Sequence, residues 1–183
     1  MNNINNQFSN YCNPYFLPSG TADQFNVVIE IPYGSQNKYE LDSQTGAIML
    51  DRVLYSSEFY PFNYGFIPST KAEDGDALDV AVFLTNPVPP ATVVKARALG
   101  MLKKIDSGDI DNCVIAVPVN DPRFNNVKNL QDVQPHVLDE IVDFFKNYKR
   151  LQNKTTEIVG YVDCQETKEE IAKYLNNYTE FKD

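Results

Sequence analysis

From Asn26 to about Pro118, apolar residues come in short bursts, each cut off by Pro, Gly, Asn or Asp. Bursts of that length, rich in Val, Ile, Leu and Tyr, predict strands. The clearest span 27–31, 38–41, 47–54, 78–84, 92–102 and 112–117, with one more at 155–162. So many strands with so few helices between them predict an antiparallel barrel or sandwich rather than a parallel doubly wound sheet. Two later segments change period. Val137, Leu138, Ile141, Val142, Phe145 and Tyr148 recur at helical spacing behind Pro135, a residue suited to a helix start. Ile171, Tyr174, Leu175 and Tyr178 do the same, and Thr167 with Glu170 ahead of them forms a capping-box pattern. Both aromatic stripes read as core. The expected fold is therefore mainly β, a closed barrel with two helices packed on it. Residues 1–25, broken by Pro14, Pro18 and Gly20, read as an irregular arm, and 26–183 as a single domain.

Composition narrows the function more than the fold. A chain of 183 residues, 43% apolar, with 11 Tyr and 11 Phe, suits one globule with a sizeable core. No apolar run approaches the ~18 residues of a membrane span, and the first 26 residues lack the basic start and apolar stretch of an export signal. A cytoplasmic protein is expected. Cys12, Cys113 and Cys164 are odd in number and scattered, which opposes a disulfide framework or a zinc site. The one histidine, His136, cannot build a His-based triad alone and reads as a surface residue. The net charge of −9, with no basic run, opposes nucleic-acid binding. An acidic protein can still act on an anion when divalent cations stand between the two.

The strongest local signal is Asp74-Gly75-Asp76-Ala77-Leu78-Asp79, running straight into an apolar strand. Three carboxylates within six residues repel one another, and a turn that keeps them together suits a hard cation such as magnesium. The alternative is a solvated acidic turn. An EF-hand is excluded because the downstream segment is strand-like and Pro87 follows closely. The aspartyl-phosphatase D-x-D is excluded because Lys71-Ala72-Glu73, not a buried strand, precedes the motif. Asp106 and Asp111 flank a hairpin loop at 107–110, a placement that would let both carboxylates share one cation. Lys38 and Glu40, two apart on a strand, face the same way. Arg52, Tyr60, Tyr64, Tyr148 and Lys149 add cations and hydroxyls. Each is ordinary alone. Together they make a parts list for phosphoryl transfer: carboxylates for magnesium, Lys and Arg for phosphate oxygens, Tyr as neutral donors.

In this order, the residues resemble the family I soluble inorganic pyrophosphatases. The blocks are Val27-Val28-Ile29-Glu30-Ile31-Pro32, Lys38-Tyr39-Glu40, Asp51-Arg52, Phe59 to Gly65, Asp74 to Val80, Asp106, Asp111, Ile115 to Pro118 and Phe144 to Lys149. The resemblance runs from about Asn26 to Gly160. It implies a five-stranded barrel related to the OB-fold with its active site at the mouth, and hydrolysis of pyrophosphate to two phosphates. It further implies magnesium held by Asp74, Asp79, Asp106 and Asp111, with Glu30 and Glu40 completing the acidic lining. Asp76 would be the general base, and Lys38, Arg52, Tyr64, Tyr148 and Lys149 would bind phosphate, with Tyr60 a supporting donor. Short members of the family imply a homohexamer.

One position departs from the pattern. The family usually carries a phosphate-binding lysine two residues after the aspartate matching Asp111, and here that residue is Cys113. A thiol cannot replace an ammonium; a lost charge-assisted contact costs about 1.5–3 kcal/mol, which predicts reduced rather than absent activity. Lys104, one strand away, is the candidate to compensate. The rival readings are a weakly active homologue, an OB-like nucleic-acid module, which the charge opposes, and an acidic calcium-binding or structural protein that releases no phosphate.

Overall fold

The computed structural model describes residues 13–180, with side chains to residue 178. Nine strands and two α-helices lie within them: β1 (Phe25–Ile31), β2 (Asn37–Leu41), β3 (Ile48–Val53), β4 (Asn63–Phe66), β5 (Asp79–Val82), β6 (Val93–Asp106), β7 (Asp109–Ile110), β8 (Cys113–Pro118), α1 (Pro135–Asn147), β9 (Thr156–Val162) and α2 (Cys164–Glu180). Strands β1, β4, β5, β8 and β6 hydrogen-bond in that order, and β6 returns to β1, so the sheet closes in a five-stranded ring. β9 adds to β6, and β2 with β3 forms a separate antiparallel hairpin.

Alternation along the ring strands explains why two helices are needed. On β8, Cys113, Ile115 and Val117 fall into one apolar cluster, while Val114 and Ala116 fall into the other. A strand buried on both faces needs cover on both. α1 covers one face with Ile141, Phe144 and Phe145; α2 covers the other with Ile171 and Tyr174. The aromatic stripes are core, as their spacing predicts.

The structure differs from the sequence reading in four places. β4 escaped notice: it has four residues, Pro61 stands just ahead of it and Gly65 inside it. β5 and β8 run parallel, so the ring is not wholly antiparallel. α2 starts one turn earlier than the Thr167–Glu170 pattern places it. Its start is held by Asp163, whose carboxylate accepts from the Glu166 amide at 2.9 Å, while Thr167 donates to the Asp163 carbonyl from inside the first turn. The hairpin loop before β7 has two residues, Ser107 and Gly108, both at positive φ as such turns require. Asp106 therefore faces Asp109, and Asp111 lies across from Lys104.

Part of the expected arm, residues 1–12 with Cys12, lies outside the described residues. Its remainder is irregular from 13 to 24 around a single 3-10 turn at Pro14–Phe16, and its last residue, Phe25, already opens β1. Asn13 caps that turn and ties it to the β2–β3 loop through the Ser43 carbonyl at 2.9 Å. His136 is exposed, as expected. Among the described residues, no helix is long and apolar enough to cross a membrane.

Candidate active site

A cleft of about 530 Å³ opens against the ring, and its walls come from distant parts of the chain. β1 contributes Glu30; β2, Lys38 and Glu40; the loop before β4, Tyr60; β4 itself, Tyr64; the turn before β5, Asp74 and Asp76; β5, Asp79. The β6–β8 region adds Asp106 and Asp111, and the end of α1 adds Tyr148 and Lys149. Of the residues picked from sequence, only Arg52 does not line the cleft. It sits beside Lys38 across the β2–β3 pair, with its guanidinium turned to Asp51 and its Nε buried without a partner. Among the lining residues that the sequence reading did not pick, Tyr15 and Asp109 carry an ionisable group from unexpected places. Tyr15 comes from the arm, where no periodicity marks it; Asp109 lies in the hairpin and reads as an ordinary turn acid.

Local chemistry explains why the acids sit where they do. Gly75 has φ +93°, which lets the chain double back between two aspartates. Asp74 accepts from the Asp76 amide at 3.0 Å, and the Ala72 amide donates to the Asp76 carbonyl at 2.8 Å. Buried Thr70 fixes the base of this loop: it donates to the Ile67 carbonyl and accepts from the Leu78 amide. The expected acidic turn at a strand entrance is thus formed, with Asp74 and Asp76 exposed on it and Asp79 recessed. The tyrosines are set by α1: Phe144 stacks on Tyr148 at 4.9 Å and packs against Tyr60 at 4.7 Å, and Phe145 lies 6.2 Å from Tyr64.

Four acids of the cleft have side-chain partners within the protein. Tyr64 donates to Asp79, Lys149 pairs with Asp106, Lys38 with Glu40, and Lys104 with Asp111 at 2.5 Å. Among the described residues, no three His, Cys, Asp or Glu side chains are already gathered at metal-ligand geometry. The donor set is nonetheless all oxygen, converging on one cleft, which is the chemistry a hard divalent cation takes.

Burial dominates the titration behaviour. It pushes Asp79 well above the usual carboxylate range, reinforced by the Asp111 charge and opposed by Lys104. Asp74 is raised, chiefly by burial and also by Asp76. For Asp106, burial works upward, but the Lys149 hydrogen bond and charge bring it net below normal. Burial also raises the hydroxyls of Tyr64 and Tyr148, so both remain neutral donors. Glu30 is pushed up to about 7, first by burial, against the opposing Leu41 amide, which donates to it at 2.6 Å.

That shift has a stability consequence. Below the ordinary carboxyl value Glu30 is protonated in both states and costs nothing. As pH rises to about 7 the unfolded chain ionises first, so the fold loses stability across that window and carries the full loss above it. In metal-free protein, Glu30→Gln is expected to add on the order of 2 kcal/mol at pH 8 and nothing at pH 4. Urea midpoints in chelator at the two pH values check this; equal midpoints for both proteins at pH 8 would contradict it.

Comparison with known proteins agrees with the geometry. Residues 27–179 match the family described as inorganic pyrophosphatase. The inorganic pyrophosphatase of Nostoc is 50% identical over 153 residues, covering 84% of this chain and 90% of its own. Soluble inorganic pyrophosphatase 1 of Arabidopsis thaliana is 43% identical over 162 residues, 88% of this chain and 76% of its own. Among solved structures, the inorganic pyrophosphatase of Thermus thermophilus superposes with a TM-score of 0.89 at 42% identity, over 91% of this chain and 99% of that one. With residues 27–179 matching the family, half the residues shared with one member over 153 positions and the fold shared with another, this protein belongs to the inorganic pyrophosphatase family.

Proposed function

We propose that the chain hydrolyses pyrophosphate to two orthophosphates with magnesium in this cleft, and that it works in the cytoplasm as a homohexamer. The observation that carries the reading is the meeting of Asp74, Asp76, Asp79, Asp106 and Asp111 with Lys38, Lys149, Tyr64 and Tyr148 around one cavity. Asp74, Asp79, Asp106 and Asp111 would hold the magnesium, with Glu30 and Glu40 behind them. Bound magnesium supplies charge neutralisation for the phosphates and lowers the pKa of water from ~15.7 toward ~7.

The protein's own groups do the rest. Asp76, exposed on its turn and in no ion pair among the described residues, takes the proton of the attacking water as the new P–O bond forms. The bond from phosphorus to the bridging oxygen breaks, and the leaving phosphate carries away that oxygen's electrons. Lys38 and Lys149 hold its oxygens with Tyr64 and Tyr148 as neutral donors, stabilising charge where it develops, and Arg52, beside Lys38 but turned to Asp51, would swing in from outside the cleft wall to join them. The resting pairs suit an exchange of partners. With the acids engaged by a bound cation, Lys38 and Lys149 would be free of Glu40 and Asp106 and could turn to phosphate.

Resemblance supports the hexamer, and exposed Met49, Leu50 and Val53 on β3 offer apolar surface for assembly to cover. The deciding experiment is phosphate release from pyrophosphate by the purified protein, with the particle mass taken on the same sample. Release is expected with magnesium and should stop with chelator, from a particle six chains in mass. No release under saturating magnesium would sink the function; a single-chain mass would sink the assembly alone.

A further inference from the structure

Among the described residues, Lys104 is the one charged residue that is buried, at 2% exposure. Lysine is almost never buried so fully unless paired. Its ammonium lies 2.5 Å from the Asp111 carboxylate and 4.9 Å from the centre of the Phe145 ring, on the ring's face. Its backbone carbonyl accepts from the Asp111 amide at 3.1 Å, so the two residues are tied across the strands as well as through their side chains. The ammonium is not itself part of the cleft wall, but Asp111 is.

Register explains its position. Leu102 stands opposite Cys113, and Lys104 is two residues further along β6, on the same face of the sheet. Cys113 is fully buried, and the Lys104 charge bears on its thiol and on Asp79 and Asp106. The pocket behind Asp111 is therefore reached from two strands. β8 presents a neutral thiol to it and β6 presents an ammonium.

We propose that Lys104 is a built-in counter-ion of the site, a positioning residue that holds Asp111 toward the cleft and supplies from β6 the positive charge that Cys113 lacks. The inference rests on the proposed function. It makes position 113 no charge gap at all, and it makes the two positions interchangeable: one ammonium is needed, from either strand.

The test is a cycle of Lys104→Met, Cys113→Lys and the double variant. Methionine keeps the length and apolar stem of lysine and removes the charge. Two readouts are taken: magnesium affinity by calorimetry without substrate, and kcat and KM for pyrophosphate at saturating magnesium. A fixed unit charge a few ångströms from a divalent site outweighs the rotamer freedom of one aspartate. Lys104→Met is therefore expected to bind magnesium about tenfold more tightly, whereas mere structural damage would loosen it. Its turnover should fall at least about tenfold, with KM changing less because Lys104 does not face the substrate. The double variant should return toward wild type in both readouts. Cys113→Lys alone should lose thermal stability, since two ammoniums then crowd one pocket. Magnesium binding by Lys104→Met no tighter than wild type would overturn the proposal. So would a double variant no closer to wild type than Lys104→Met, or a Cys113→Lys protein faster than wild type. A wild-type protein that releases no phosphate fails the function itself, which is a separate result.

Discussion

Asp76→Asn is expected to reduce pyrophosphate turnover by about a hundredfold to ten-thousandfold while leaving the fold intact, the range typical of losing a general base. The fold should survive because the substitution touches no packing. Asp76 is exposed, and what the acidic turn takes from it is its backbone: its amide donates to Asp74 and its carbonyl accepts from Ala72. Asparagine preserves both. It is also similar in shape and remains polar, so the loss reports the missing proton acceptor alone. The rival role for Asp76 is that of a magnesium ligand, and the two separate cleanly. A lost ligand weakens magnesium binding, and raising the metal concentration recovers the rate. A lost base leaves magnesium affinity within a few-fold of wild type, because Asp74, Asp79 and Asp111 remain, and no concentration of metal recovers the rate. Turnover at wild-type level would move the base elsewhere, with Glu30, pushed up to about 7 by burial, the next group to try.

The candidate site was legible where function had written an unusual local pattern. Asp74-Gly75-Asp76 cannot be mistaken for core or for helix, and its turn is where the sequence placed it. The helix carrying Tyr148 and Lys149 was legible because apolar residues at a 3.6 period have one physical reading. What escaped depends on partners far away in the chain. Hydrophobic alternation says nothing of strand direction, so the parallel pairing of β5 with β8 left no mark. Asp111 and Asp106 looked like facing residues because the number of loop residues was misjudged by two. Lys104 has the same local surroundings as Lys103, yet one is buried against Asp111 and Phe145 while the other reaches Glu166 and Glu170 on α2. Only the phase of β6 against its neighbours decides which lysine goes inside. Tyr15 reaches the cleft because Asn13 ties the arm to the β2–β3 loop, a contact between residues 30 apart.

Gly65→Ala is expected to cost more than about 4 kcal/mol and to lower the melting temperature by roughly 10 °C or more, if the protein folds at all. Gly65 lies in the middle of β4, opposite Ile29 of β1 and Val80 of β5. A Cβ built there would stand 1.9 Å from the Val28 carbonyl oxygen and 2.8 Å from the Ile29 Cα. Those are backbone atoms of a strand buried on both sides, so no side chain can rotate away. To admit the methyl group, β1 must separate from β4, and these two strands are a link of the closed ring. The damage would reach the chemistry as well, because Tyr64 and Phe66 flank the glycine and Tyr64 donates to Asp79. Gly34→Ala is the control: its φ of +77° makes alanine strained, but nothing lies within 4 Å of the new Cβ. The control should lose only about 1–2 kcal/mol and keep its activity. A melting temperature for Gly65→Ala within about 3 °C of wild type would mean that β1 and β4 can part without opening the ring, and that the ring's closure is not what holds Tyr64 against Asp79.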